Sequence, residues 1–200
     1  AGHGAPAGNV SLPLYFIRND GQMDPKVKFY EKGSGHATFF TKEGVYLTLT
    51  KNPKTDETQT IRLTPVGARN NFKLSAEEMQ EGNVNYFVGN DPKQWRRNVP
   101  TYRDVIYKEI YSGIDMKFYG NNREMEYDVI VKPGADLSKV ELAYEGIEGL
   151  KVTKAGALEI ALNRGGVLFQ KRPTIYQEIN GNRTEVAGRF VLSPRGSPTS

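Results

Sequence analysis

The feature that most constrains the fold of this chain is a recurring alternation of apolar and polar residues with a period of two. In Val45-Tyr46-Leu47-Thr48-Leu49-Thr50, every second residue is aliphatic, and similar alternation recurs around 26–30, 60–64 and 158–162. Such alternation predicts strands that bury one face, because successive side chains of a strand point to opposite sides. Turn-forming runs such as Asn19-Asp20-Gly21 separate the alternating segments, which favours many short strands.

The predicted fold is all-β: an antiparallel β-sandwich, or a partly open barrel, of about 12 short strands. We expect at most one or two short helices. One is predicted from the capping-box pattern Ser75-Ala76-Glu77-Glu78, with Gly82 as its end, and the other is a short turn over 136–139.

The domain organisation follows from composition along the chain. Residues 1–13 are predicted to be a flexible arm, and 193–200 a linker-like tail. Residues 14–192 are predicted to form a single β domain, or two closely packed halves at 14–100 and 101–192. The chain starts with Ala1 in a run of small residues. This resembles the segment that follows a cleaved signal peptide, so we expect an exported protein.

Composition limits the chemistry that is available. The 200 residues include no cysteine and two histidines, His3 and His36. Disulfides, thiolate zinc sites and cysteine nucleophiles are therefore excluded. The formal net charge is +4, and basic residues are interleaved with acidic ones, so no nucleic-acid partner is expected. No apolar run approaches the roughly 20 residues of a membrane-spanning helix, so we expect no span.

The segment 113–131 predicts a hairpin. With Asn121-Asn122 as a two-residue turn, Tyr119 faces Glu124 and Asp115 faces Asp128. This register puts all apolar side chains on one face, and a shift by one residue would mix the faces. The apolar face carries Ile114, Met116, Phe118, Met125, Tyr127 and Val129, and the polar face carries Asp115, Lys117, Tyr119, Glu124, Glu126 and Asp128.

The facing carboxylates of Asp115 and Asp128 allow three interpretations. Lys117 and nearby arginines neutralise them on an exposed face, or Ca²⁺ binds them together with nearby carbonyl oxygens. The third interpretation is a retaining glycoside hydrolase, whose two carboxyl groups lie roughly 5 Å apart.

An aromatic and basic stretch, 85–102, contains the single tryptophan. Trp95, Arg96, Arg97 and Tyr102 are the candidate ligand-binding residues, as a platform for stacking a sugar or as part of a basic groove. The alternative is an ordered loop in which Trp95 packs against the sandwich.

Several motifs follow one another along the chain in a recognisable order. They include Tyr-Phe-Ile-Arg-Asn-Asp-Gly-Gln at 15–22, Asn-Tyr-Phe-Val-Gly-Asn-Asp at 85–91, Asn-Val-Pro-Thr-Tyr at 98–102, Glu-Tyr-Asp-Val-Ile-Val at 126–131 and Pro-Thr-Ile-Tyr-Gln at 173–177. Together, they resemble an uncharacterised domain found near the N-terminus of large secreted bacterial proteins, often before seven-bladed β-propeller (SBBP) repeats. The resemblance covers roughly residues 14–192. It implies an extracellular or cell-surface β module and implies no catalytic residues.

Taken together, these features predict a non-catalytic structural or interaction module of a secreted or cell-surface bacterial protein, including a filament subunit. Its expected partners are other protein domains or copies of itself. The alternative is a carbohydrate-binding module that recognises a polysaccharide through Trp95. A glycoside hydrolase is the third choice. No cofactor is required, apart from Ca²⁺ if the aspartates bind it.

Overall fold

The computed structural model describes residues 14–33, 35–52, 54–87, 89–121 and 124–193. The predicted arm at 1–13, and the predicted tail beyond Ser193, lie outside the described residues. The described ranges form fifteen strands and two single-turn 3-10 helices, which confirms the all-β prediction. The 3-10 helices are Pro92–Gln94 and Leu137–Lys139. The strands are β1 (Phe16–Arg18), β2 (Val27–Gly33), β3 (His36–Thr41), β4 (Val45–Asn52), β5 (Glu57–Val66), β6 (Lys73–Tyr86), β7 (Arg96–Tyr111), β8 (Ile114–Asn121), β9 (Glu124–Val131), β10 (Glu141–Glu145), β11 (Gly149–Val152), β12 (Leu158–Ala161), β13 (Val167–Gln170), β14 (Thr174–Ile179) and β15 (Asn182–Glu185).

Twelve strands form one main sheet in the order β10-β5-β4-β3-β2-β1-β7-β8-β9-β14-β15, with β6 paired to β7. The remaining strands, β11–β13, form a small sheet of their own. The main sheet is mixed, because β14 runs parallel to β9. This parallel pair departs from the antiparallel arrangement predicted for the sandwich. The chain leaves β9, passes through β10 and the small sheet, and returns in the same direction, as a parallel pairing requires.

Strand β7 joins two parts of the main sheet. One of its edges pairs with β6, and the other pairs with β1 at residues 101–102 and with β8 from Asp104 onward. Because β1 and β8 share an edge of β7, the sheet divides there into two parts. These parts pack face to face. The ring of Phe40 on β3 lies 5.3 Å from those of Phe16 on β1 and Phe118 on β8, between centroids. The result is a sandwich-like fold.

The face predicted for β4 is confirmed. Val45 lies in the main core between the two parts of the sheet, whereas Leu47 and Leu49 pack against a second core. This second core is centred on Ile61, Leu158, Ile160 and Leu162, and it attaches the small sheet to β4 and β5. One continuous apolar face therefore serves both cores.

The helix predicted to begin at Ser75 and end at Gly82 is wrong, because these residues belong to β6. The first of them pair in regular antiparallel register with β7, where Ser75 lies opposite Ile106 and Glu77 opposite Asp104. Leu74 and Ala76 pack against the main core, so this segment also has a period of two. A two-turn helix has a costly nucleus and few internal hydrogen bonds. Pairing with the long strand β7 gives this segment more hydrogen bonds than the helix would. The short turn predicted at 136–139 is confirmed, with the Asp136 side chain capping it.

The β8–β9 hairpin has its predicted faces but a different register. Asn121 pairs with Glu124, Tyr119 with Glu126 and Lys117 with Asp128. Every pairing is shifted by two residues relative to the prediction. A two-residue shift keeps each side chain on its face, so the apolar pattern alone could not distinguish the two registers.

Candidate functional site

The predicted aromatic and basic stretch forms a surface cluster at the end of the β6–β7 hairpin. We call Phe87, Trp95 and Arg97 the aromatic–basic surface. The Phe87 and Trp95 rings lie 5.3 Å apart between centroids, at an angle of 88°. The Arg97 guanidinium carbon lies 5.6 Å from the Phe87 ring centroid and 5.9 Å from that of Trp95. Phe87 is 56% exposed, and Arg97 is exposed as well. The cluster therefore presents two aromatic rings and a cation at the surface.

The loop before β7 fixes the position of Trp95. The Asp91 side chain accepts a hydrogen bond from the Lys93 backbone N–H at 3.0 Å and so caps the Pro92–Gln94 helix. The Trp95 backbone N–H donates to the Pro92 carbonyl oxygen at 3.2 Å, and its indole Nε1 donates to the Gly89 carbonyl oxygen at 3.1 Å. These bonds hold the indole ring with one side against the loop.

Arg96 and Tyr102 serve the scaffold instead. The Arg96 guanidinium donates hydrogen bonds to the carbonyl oxygens of Asp20 and Lys93 at 2.9 and 3.0 Å, so it ties the 19–24 loop to the start of β7. The Tyr102 ring packs edge-on against Phe29, at 6.0 Å between centroids. Of the four predicted ligand-binding residues, the structure thus brings Trp95 and Arg97 together and adds Phe87.

The polar side chains of the motif at 15–22 form hydrogen bonds within the protein. The Asn19 amide donates to the carbonyl oxygens of Met23, Asp24 and Val27, and its oxygen accepts from the backbone N–H groups of Gly21 and Met23. Gln22 donates to the Arg18 carbonyl oxygen. These side chains shape the β1–β2 loop, which is where Arg96 attaches.

The two predicted metal-binding residues do not face each other. In the observed register Asp115 lies opposite Ile130, and Asp128 lies opposite Lys117. The Asp115 carboxylate accepts a hydrogen bond from the Glu109 backbone N–H at 2.7 Å, whereas Asp128 accepts one from the Tyr119 hydroxyl at 2.8 Å. The Ca²⁺ and glycoside hydrolase hypotheses both depended on facing carboxylates, and the register removes that premise. The described ranges hold no group of three or more His, Cys, Asp or Glu residues placed to bind a metal.

Lys117 is the cation that stands among these acids. Its Nζ lies 3.2 Å from Asp104 Oδ2, and the side chains are 16% and 6% exposed. Burial opposes the charge of Lys117, but the hydrogen bond and the charge of Asp104 raise its pKa above the ordinary value. Burial also disfavours the charged form of Asp128, which raises the pKa of this carboxyl group even though the hydrogen bond from the Tyr119 hydroxyl lowers it. Lys117 therefore pairs with Asp104 and not with the two predicted aspartates, which are buried and accept hydrogen bonds from Glu109 and Tyr119. This differs from the interpretation in which Lys117 and arginines neutralise Asp115 and Asp128 on an exposed face.

A short bulge in β7 explains the contact between Asp115 and the backbone. The pairing of β7 with β8 is interrupted between Tyr107 and Tyr111, and Glu109 adopts a positive φ of 56° there. The hydrogen bond from Lys132, followed by the one from the Gly113 backbone N–H, lowers the pKa of Glu109. Asp115 and Glu109 therefore stabilise this bulge and its neighbouring turn.

A cavity of about 540 Å³ lies where the two cores meet, and sequence reasoning missed it. Its walls come from β3–β5, the β8–β9 hairpin, β10, and β12–β13 with the chain that follows them. Tyr127 forms part of the wall, and its hydroxyl is buried with no hydrogen-bond partner among the residues described. No local motif could have revealed the cavity, because its walls come from distant parts of the sequence. Their alternation predicts only that these side chains point inward.

Comparisons with known proteins give two matches. Part of the chain, 101 residues or 50% of its length, is 33% identical to the large ribosomal subunit protein uL23 of Saccharopolyspora erythraea, and the alignment covers 90% of that protein. No solved structure matches the chain. In the described part of the chain, no helix has the length and apolar character needed to cross a membrane. A family model described as a domain of unknown function, DUF7948, matches residues 16–197, and the chain therefore belongs to this family.

Proposed function

We propose that this domain is a non-catalytic interaction module of a secreted or cell-surface bacterial protein. Its aromatic–basic surface contacts another protein, either a neighbouring domain or a further copy of this chain in an extracellular assembly or filament. The observation that carries the proposal is the surface cluster at the end of a hairpin in which Phe87 and Arg97 are exposed and Trp95 is half-buried. Tryptophan and arginine are the residue types that contribute most often to the centres of protein interfaces.

The geometry of the cluster favours a protein partner over a sugar. The two rings stand at 88° to each other, so they do not form a common flat platform on which a sugar could stack. Arg97 also lies over both rings. A sugar would have to displace a cation that these rings already attract. A carbohydrate-binding module centred on Trp95 is therefore the second candidate.

The non-catalytic part of the proposal is supported by the roles of the ionisable groups. Lys117 pairs with Asp104, Asp128 accepts from Tyr119, and Glu109 pairs with Lys132 and Arg69. These contacts join neighbouring strands and turns. The secreted or surface location is supported by the resemblance of the motifs to domains of large secreted bacterial proteins.

The relative named as a ribosomal protein raises RNA as an alternative partner. RNA binding requires a face on which basic residues dominate. Here basic side chains from several strands form ion pairs with acidic neighbours, among them Arg18 with Asp20 and Arg62 with Glu145. This pattern supports a protein partner rather than a polyanion.

Self-association and sugar binding can be tested with the same two variants. Sedimentation velocity and negative-stain electron microscopy at high concentration should give oligomers or filaments for the wild type. Trp95→Ala should reduce association at least tenfold. Met79→Ala should not, although Met79 is 68% exposed in the same hairpin. A wild type that stays strictly monomeric would exclude an assembly of identical chains. A glycan-array signal that Trp95→Ala abolishes would favour the carbohydrate-binding alternative.

A further inference from the structure

We propose that the cavity between the two cores binds a single-chain amphiphile with an anionic head group, a molecule of the fatty-acid type. This site is separate from the aromatic–basic surface and does not depend on the function proposed for it. Its volume of about 540 Å³ lies within the range of roughly 300–1,000 Å³ that is typical of small-molecule sites.

The walls of the cavity determine the apolar part of the ligand. Leu47 and Leu49 of β4, Ile61 of β5, Ile160 of β12 and Leu168 of β13 all line it. These residues also belong to the second core or pack against it, so their backbone positions are fixed by the surrounding sheets. Aromatic side chains such as Phe118 and Phe169 complete the wall. A lining of this apolar character suits a hydrocarbon chain, because such a ligand gains by leaving water and requires no hydrogen bonds along its length.

The polar part of the lining determines the head group. Two basic residues, Lys171 and Arg172, line the cavity immediately after β13, and Glu126 lines it from β9. Lys171 Nζ lies 3.2 Å from Glu126 Oε1, and Arg172 Nη2 lies 3.8 Å from Glu185 Oε1. The two basic side chains are 66% and 52% exposed. Their acidic partners Glu126 and Glu185 are 20% and 72% exposed. Ion pairs whose cation is this exposed contribute little, so a ligand carboxylate can compete for both cations while its chain occupies the apolar part.

Binding can be measured with fatty acids of increasing length. The dye anilinonaphthalene sulfonate should bind the wild-type protein with enhanced fluorescence, and dodecanoate should displace it. Affinity should rise by about threefold to fourfold for each added methylene from octanoate to dodecanoate, since each buried methylene contributes a constant increment. Dodecanol has the same chain without the charge, and it should bind at least fivefold more weakly than dodecanoate.

Two neighbouring residues of β13 provide a matched pair of variants. Leu168→Trp fills the cavity and should lower dodecanoate affinity at least tenfold. Val167→Trp adds the same ring at a position that is 44% exposed and lies on the other face of the strand. It should therefore leave affinity unchanged. Circular dichroism verifies that each variant is folded. If Leu168→Trp does not fold, Met125→Trp fills the cavity from β9 instead.

A double variant tests the head group. Lys171→Gln combined with Arg172→Gln should lower the affinity for dodecanoate severalfold and leave the affinity for dodecanol unchanged.

Three results would overturn the proposal. The first is the absence of saturable, displaceable binding by dodecanoate. The second is an equal loss of affinity in Leu168→Trp and Val167→Trp, which would place the binding elsewhere. The third is equal affinity for dodecanol and dodecanoate, which would refute the anionic head group. Chain-length dependence together with selective loss in Leu168→Trp supports the site.

Discussion

At the scale of the residue, the molecule depends on charges that are buried with a partner. Lys117 and Asp104 illustrate this, because both side chains are largely inaccessible and lie 3.2 Å apart. The surrounding strands exclude most of the water that would otherwise solvate a lone charge. Removing one partner is therefore more costly than the net contribution of the pair would suggest.

We expect Lys117→Met to lower the free energy of unfolding by about 3 kcal/mol, because it leaves the carboxylate of Asp104 buried and uncompensated. The matched control is Lys108→Met. The pair of Lys108 with Glu77 spans 3.9 Å and is about half exposed, so its loss should cost less than about 1 kcal/mol. Urea denaturation measures both. Adding Asp104→Asn to Lys117→Met should recover much of the loss, and equal costs for the two lysines would contradict this account.

At the scale of the element, close backbone approaches determine which turns the strands can make. Gly146 follows β10 and has a positive φ of 77°. A Cβ atom added there would lie 2.2 Å from the Thr60 carbonyl oxygen. Gly67 follows β5, the strand that pairs with β10, and has a similar φ of 68° with open space around it.

We predict that Gly146→Ala is much more destabilising than Gly67→Ala. Both substitutions place an alanine in the left-handed region, at a cost of roughly 1–2 kcal/mol. Gly146→Ala also forces β10 away from β5, and its total cost should exceed about 3 kcal/mol. The difference between their urea midpoints measures the contribution of the close approach. Similar midpoints would mean that β10 can move without loss.

At the scale of the whole molecule, β7 ties the fold together. The division predicted at 100/101 falls inside this strand, and β1, which belongs to the first predicted half, pairs with Thr101 and Tyr102 of the second. The main core also mixes residues from both predicted halves, such as Phe40 and Phe118. This arrangement favours the single-domain prediction.

We therefore expect residues 14–192 to unfold in one cooperative transition. Far-ultraviolet circular dichroism reports the strands, and near-ultraviolet circular dichroism reports the packed tyrosines. The two signals should give coincident midpoints in urea, as expected for a two-state domain. The small sheet shares the second core with β4 and β5, so it should unfold with the rest. Two separated midpoints would indicate that the halves fold independently.

The sequence by itself determined the fold class and which side chains point inward, because alternation is a local property of the chain. Val45, Leu47 and Leu49 share an inward face as predicted, and the hairpin faces are correct.

Only the tertiary structure decided the pairing partners. The hairpin register was ambiguous by two residues, and β6 became a strand because β7 lies beside it. Arg96 and Arg97 are adjacent in sequence, yet Arg96 is hydrogen-bonded to the 19–24 loop, whereas Arg97 lies over the two aromatic rings of the surface cluster. The cavity exists only because distant strands meet, and contacts between distant segments leave no local pattern in a sequence.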